Sequence, residues 1–130
     1  MSEEPSQFPL PNRLVHEPAR LAILTVLSSC ISADFLFLQG VTGLTKGNLS
    51  VQLSNLEGAG LVVITKQILD KKTHTVVQLS ERGVAEIDEY WRTMDEIRAR
   101  MAASEEFRRD RSKQLVPRPA GGPGPLDWIG

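Results

Sequence analysis

Three leucines constrain this chain more than any other feature. Leu49, Leu53 and Leu56 recur at i, i+4 and i+7 within LTKGNLSVQLSNLEGAGLV, which begins at Leu44, a spacing that gathers side chains on one helical face. That face is committed to a core. Thr45 precedes the periodic run, where its hydroxyl can accept a backbone N–H, and Gly58 and Gly60 supply a residue able to turn left-handed at the far end. Segment 45–59 is therefore predicted as a helix with both ends marked. Its other face carries Lys46, Asn48, Ser50, Gln52, Ser54 and Asn55, with Val51 as the one bulky apolar side chain. Ordinary solvated faces favour Glu/Lys pairs four residues apart. Small amides and hydroxyls are poor helix formers but suit hydrogen bonds to base edges, so the face reads either as plain surface or as a probe for a groove.

The flanks bear on that choice. Upstream, a helix begins at Glu17 with Pro18 in its first turn, and Leu21, Ile23, Leu24 and Leu27 make it apolar around much of its circumference. Asp34 is placed to cap a second, short helix, Phe35 to Val41, whose Phe35 and Leu38 can face the core. Gly40 and Gly43 end it, and Thr42-Gly43-Leu44 leads straight to Thr45. Two short helices joined by a tight Gly-containing turn form the helix-turn-helix pattern, in which the second helix enters the major groove.

Downstream the period changes. Leu61 to Leu69 and Thr73 to Leu79 are rich in Val, Ile and Thr, and Asp70-Lys71-Lys72 between them makes a turn. A hairpin alone is marginal in water, so it must lie on the helices, with Val77 and Leu79 facing inward. Placed after a helix-turn-helix, such a hairpin (66–74 with its lysines) is a wing. Lys66, Lys71 and Lys72 are then positioned for phosphate or the minor groove; the competing reading is that the tip lysines only keep the turn soluble.

Beyond Ser80, an N-cap, a long helix is predicted from Glu81 to at least Met101. Val84, Ile87, Trp91, Met94, Ile97 and Met101, with Tyr90 beside them, form an apolar stripe spaced by threes and fours. Nothing earlier in the chain is left to cover all of it. Burial is worth about 1.5 to 3 kcal/mol for each such residue, which points to the same helix of a second subunit as the cover. The alternative is a stripe folded back on its own domain. From Ser104 the chain becomes charge-dense (SEEFRRDRSK) and then Gly/Pro-rich, ending in an apolar tip of Leu126, Trp128 and Ile129. This gives three parts: a flexible N-terminal arm over 1–12, a folded domain with its long helix over 13–103, and a tail over 104–130.

Composition narrows the function. A net charge of −1 argues against binding nucleic acid by bulk attraction alone, yet between Leu44 and Thr75 Lys46, Lys66, Lys71 and Lys72 outnumber Glu57 and Asp70. The single cysteine, Cys30, lies in an apolar context and can form no internal disulfide. No run approaches the length of a membrane helix and no secretory signal is evident, so a cytoplasmic location follows by default. The two histidines, His16 and His74, are far apart in sequence, and there is no metal-ligand spacing and no phosphate-cradling glycine loop. An enzyme is disfavoured, and no cofactor or metal is expected.

Taken together, P-x-R-L-x-I-L in the first helix, D-F-x-x-L in the second, G-L-T-K-G-N-L-S-x-x-L-x-x-L-E-x-A-G-L-V through the third and L-S-E-R-G after the hairpin resemble the winged-helix domain of small bacterial and archaeal MarR-like regulators. The resemblance implies a dimeric repressor or activator with Thr45, Lys46, Gly47, Asn48, Ser50, Val51 and Gln52 in the groove. Val51 and Gln52 stand where many relatives carry Arg or His, and the wing has lysines where arginines are frequent. Lysine cannot form the bidentate fork of arginine, whereas Val51 suits a thymine methyl.

The expectation is a mainly α fold with a small antiparallel β-hairpin, a winged helix-turn-helix with a long C-terminal dimerisation helix. Its partners are double-stranded DNA, at a pseudo-palindromic site, and a second copy of itself. The alternative is a winged helix that binds protein through its apolar stripe and tail. The sequence names no polar group for a small-molecule effector.

Overall fold

The computed structural model describes residues 8–104. Helix α1 spans Pro18–Ser28, a two-residue strand β1 Ala33–Asp34, α2 Phe35–Thr42, α3 Lys46–Gly58, β2 Val62–Leu69, β3 Lys72–Leu79 and α4 Glu81–Ala103. Helix capping sets most of these boundaries. Glu17 accepts from the Arg20 amide at 2.8 Å, Asp34 from Phe37 at 2.8 Å and Thr45 from Asn48 at 3.1 Å. Each side-chain oxygen satisfies one of the amides that a helix start leaves without an intrahelical partner. Gly43 ends α2 in the left-handed region at φ 73°, so that the chain reverses within Gly43-Leu44-Thr45 and α3 starts at once.

Ile23, Leu24 and Leu27 of α1, Leu38 of α2, and Leu49, Leu53 and Leu56 of α3 meet in one core with Leu61, Val77, Ile87 and Tyr90. The leucine stripe of α3 is thus wholly consumed by packing. Among the described residues the buried set contains no charged or polar side chain apart from the Tyr90 hydroxyl. That hydroxyl lies 2.9 Å from His16 Nδ1.

The three-stranded antiparallel sheet has the order β1-β3-β2. Register pairs Val62 with Leu79, Ile64 with Val77 and Leu69 with Lys72, so Val62, Ile64, Val77 and Leu79 share the face turned to the helices. The third strand is a departure from the expected hairpin: Ala33 pairs with Val77 and Asp34 with Val76. Two residues are too few to show any period in a sequence. The tip also differs, because Lys72 belongs to β3 and the turn consists of Asp70 and Lys71 alone, with φ 51° and 65°. A two-residue turn with both φ positive follows the right-handed twist of its strands, and it forms here without the glycine that usually marks it.

Ahead of α1 the chain is tied to the domain from Asn12 onward. Asn12 donates to Glu86 on α4 at 2.9 Å and accepts from Leu14 at 2.8 Å, while Val15 is fully buried. The chain divides into compact units after Glu96, the second running from Ile97; of that unit only 97–104 are described. The apolar tip at Leu126, Trp128 and Ile129 lies outside the described residues.

The stripe on α4 needs a correction. Ile87 and Tyr90 sit in the core of their own chain at 1% and 4% exposure, so these two are not open to a partner, while the half-buried Met94 packs against that core. Helix α4 reaches the core because its first turn is clamped. Ser80 Oγ donates to the Gly60 carbonyl at 2.6 Å and accepts from the Gly83 amide at 2.9 Å. Val84, Trp91 and Met101 remain outside, each more than two-fifths exposed.

Candidate nucleic-acid interface

Helix α3 presents its polar face as the leucine spacing requires. With Leu49, Leu53 and Leu56 turned inward, Lys46, Gly47, Asn48, Ser50, Val51 and Asn55 are all exposed, as is the capping residue Thr45. Val51 is 57% exposed although apolar. Burying it inside the chain would require rolling α3 off its leucines. Gln52 differs from the rest: it is half-buried, accepting from Arg20 at 3.0 Å and donating to Asn48 at 3.1 Å.

The wing lies beside this helix. Lys46 and Ser50 of α3 line an open cleft of about 350 Å³ together with Thr73, His74 and Thr75 of β3 and Phe35 and Gln39 of α2. Lys66, Lys71 and Lys72 are exposed along the hairpin. No ion pair among the described residues holds them or Lys46, so all four ammonium groups are free to meet an anion. The surface therefore combines a helix edge of amides and hydroxyls with Lys46 at the cleft and three further exposed lysines on the hairpin. That combination suits base edges flanked by phosphates.

Sequence reasoning had missed several residues of this surface. Arg20 reaches α3 from another helix, and no periodic pattern reports a partner 32 positions away. His74, Thr73 and Thr75 join the cleft through the register of β3. At the wing end Ile68 and Leu69 are 76% and 52% exposed, an apolar pair that the run of Val, Ile and Thr disguised as ordinary strand residues. Among the described residues no cluster of three or more His, Cys, Asp or Glu side chains is placed to hold a metal. No described helix is long and apolar enough to cross a membrane.

The sequence from 19 to 98 matches the model of the winged helix DNA-binding domain family. The chain belongs to that family. It is a winged helix-turn-helix, and solved structures agree in fold. A transcriptional regulator homologue from Pyrococcus horikoshii OT3 is 30% identical, with a TM-score of 0.66 over 69% of this chain and 89% of that one. The transcriptional repressor CouR, bound to a 23-mer DNA duplex, is 24% identical with a TM-score of 0.56, over 75% of this chain and 68% of that one. NadR in complex with 4-hydroxyphenylacetate is also 24% identical, with a TM-score of 0.55 over 78% of this chain and 73% of that one. At that identity the last two speak for the winged-helix fold alone. No curated protein sequence matches this one.

Proposed function

We propose that this winged-helix regulator acts as a homodimer that binds a pseudo-palindromic DNA site. In this reading α3 lies in the major groove, with Thr45, Lys46, Gly47, Asn48, Ser50, Val51, Gln52 and Asn55 near the bases. Lys66, Lys71 and Lys72 of the wing meet the flanking backbone or minor groove. The observation that carries the reading is the face of α3: its polar groups and Val51 are exposed while its leucines are fully spent. In the major groove the exposed Val51 would meet a thymine methyl. The CouR complex with a DNA duplex, in a protein of the same fold, is consistent with this use of the domain.

Dimerisation rests on the part of α4 that its own chain leaves open. Val84 and Trp91, two turns apart, form an exposed apolar edge. A twofold pairing there would set two copies of α3 about 34 Å apart, one turn of DNA. The role is regulatory rather than catalytic.

A mobility-shift titration on DNA upstream of the gene, at two salt concentrations, tests the reading. The expected slope of log K against log salt is about −4 to −5 for four to six phosphates per protein unit, with weaker binding for Lys46→Ala. A complex indifferent to salt and to Lys46, or none at low salt, rejects it.

A further inference from the structure

Arg20 begins a chain of hydrogen bonds that ends on the exposed face of α3. Its Nε donates to the Leu14 carbonyl at 2.6 Å and one terminal nitrogen donates to Gln52 Oε1 at 3.0 Å. A guanidinium has donors and no acceptor. Gln52 must therefore turn its oxygen toward α1, which sends its NH₂ along α3 to donate to Asn48 Oδ1 at 3.1 Å. Asn48 in turn gives up its oxygen, and its own NH₂ is the end left facing outward. Reversing Asn48 would set NH₂ against NH₂; reversing Gln52 as well would set NH₂ against the guanidinium. An amide is ordinarily ambiguous between its two ends, and here arginine removes the ambiguity.

We propose that Arg20, acting through Gln52, fixes Asn48 as a hydrogen-bond donor toward DNA, so that Asn48 selects a base with a major-groove acceptor, guanine first, and rejects cytosine. This rests on the placement of α3 in the major groove proposed above. Guanine presents N7 and O6 and no donor, adenine pairs its N7 with a donor, thymine offers O4, and cytosine offers only its N4 amino group. The bidentate contact of asparagine with adenine needs the side-chain oxygen to accept from N6. In this protein that oxygen is turned back toward Gln52. Arg20 and Gln52 are positioning residues: they act on the readout by orienting Asn48, the third residue of α3, within the N-terminal part of a recognition helix that meets base edges.

The test is selection of binding sites from a randomised duplex pool by the full-length chain and three variants. Asn48→Ala locates the base that Asn48 reads, as the one position whose preference is lost. At that position the wild type is expected to favour guanine over cytosine by about tenfold, within the range of one good base contact. In Gln52→Glu the carboxylate accepts from both Arg20 and the Asn48 NH₂, turning the asparagine oxygen outward, and the preference swings to cytosine or adenine. The added charge weakens binding to every site, and the change of preference is read at the position that Asn48→Ala locates. Gln52→Met keeps the bulk and cuts the relay, so the preference flattens at that one position even if the glutamate variant does not fold. In the DNA-free protein, Asn48→Ala is expected to shift the side-chain NH₂ resonances of Gln52. An unchanged preference in folded Gln52 variants, or unmoved Gln52 resonances, overturns the relay; a wild-type pool with no enriched sequence overturns the DNA-binding reading itself.

Discussion

Gly83 is the residue at which a single added carbon does most harm. A Cβ there would collide with the carbonyl oxygen of Leu61, with the Leu79 side chain 3.1 Å away on another side. The oxygen is backbone and already accepts from the Ser80 amide at 3.0 Å, so it cannot retreat without loosening the clamp at the start of α4. Gly83→Ala is expected to destabilise the domain by about 2 to 3 kcal/mol despite its better helix propensity, measured by urea unfolding. Thr45→Ala provides a milder comparison. It removes the acceptor that serves the Asn48 amide and is expected to cost about 1 kcal/mol. The caps at Asp34 and Thr45 were legible in the sequence because the physics of a helix start is local, confined to a side chain and an amide three residues on. The need for glycine at 83 was not, since it depends on a carbonyl brought up by a different element. The same holds for Arg20 and Gln52, whose bond joins α1 to α3.

Among the elements, the wing shows how local signals misplace a boundary. The lysine pair after Asp70 suggested a three-residue turn, but strand pairing continues to Leu69 and Lys72 and forces Asp70 and Lys71 to positive φ. A non-glycine residue is held left-handed at a cost of about 1 to 2 kcal/mol, a cost that glycine avoids. Lys71→Gly is therefore expected to leave the hairpin's stability unchanged or raise it by up to about 1 kcal/mol. In the proposed complex the same substitution removes one phosphate contact and flattens the salt slope of DNA binding by about 0.9. Thermal unfolding and salt-dependent mobility shifts on one preparation separate the two effects. Equal losses of stability and affinity would instead assign Lys71 a structural role. Strand β1 was invisible for a related reason. Its register against β3 is set by the packing of Ala33 into the core and by no pattern of its own.

For the whole molecule the open question in the sequence was which chain covers the stripe on α4. Period alone cannot answer it, because three- and four-residue spacing serves intrachain and intersubunit packing alike. The fold divides the stripe: Ile87 and Tyr90 go to the chain's own core, while Val84 and Trp91 stay half-exposed. Substitutions at the two kinds of position are expected to behave differently. Ile87→Asp buries an unpaired charge and abolishes folding, seen as loss of helical circular dichroism. Trp91→Glu keeps the helical spectrum, since the residue is 43% exposed and lies outside the buried core, at the cost of its ring-edge contact with Tyr90. If Trp91 lies at a twofold interface, the glutamate sets like charges opposite each other across the axis. Sedimentation should then find the wild type as a dimer and the variant as a monomer at the same concentration. A monomer engages one half-site at a time and forfeits the linkage that ties two recognition helices to one duplex. The variant should therefore bind a full palindrome no more tightly than a single half-site, while the wild type prefers the palindrome by about a hundredfold or more. A Trp91→Glu protein that still sediments as a dimer and keeps that preference would move the subunit contact away from this edge of α4.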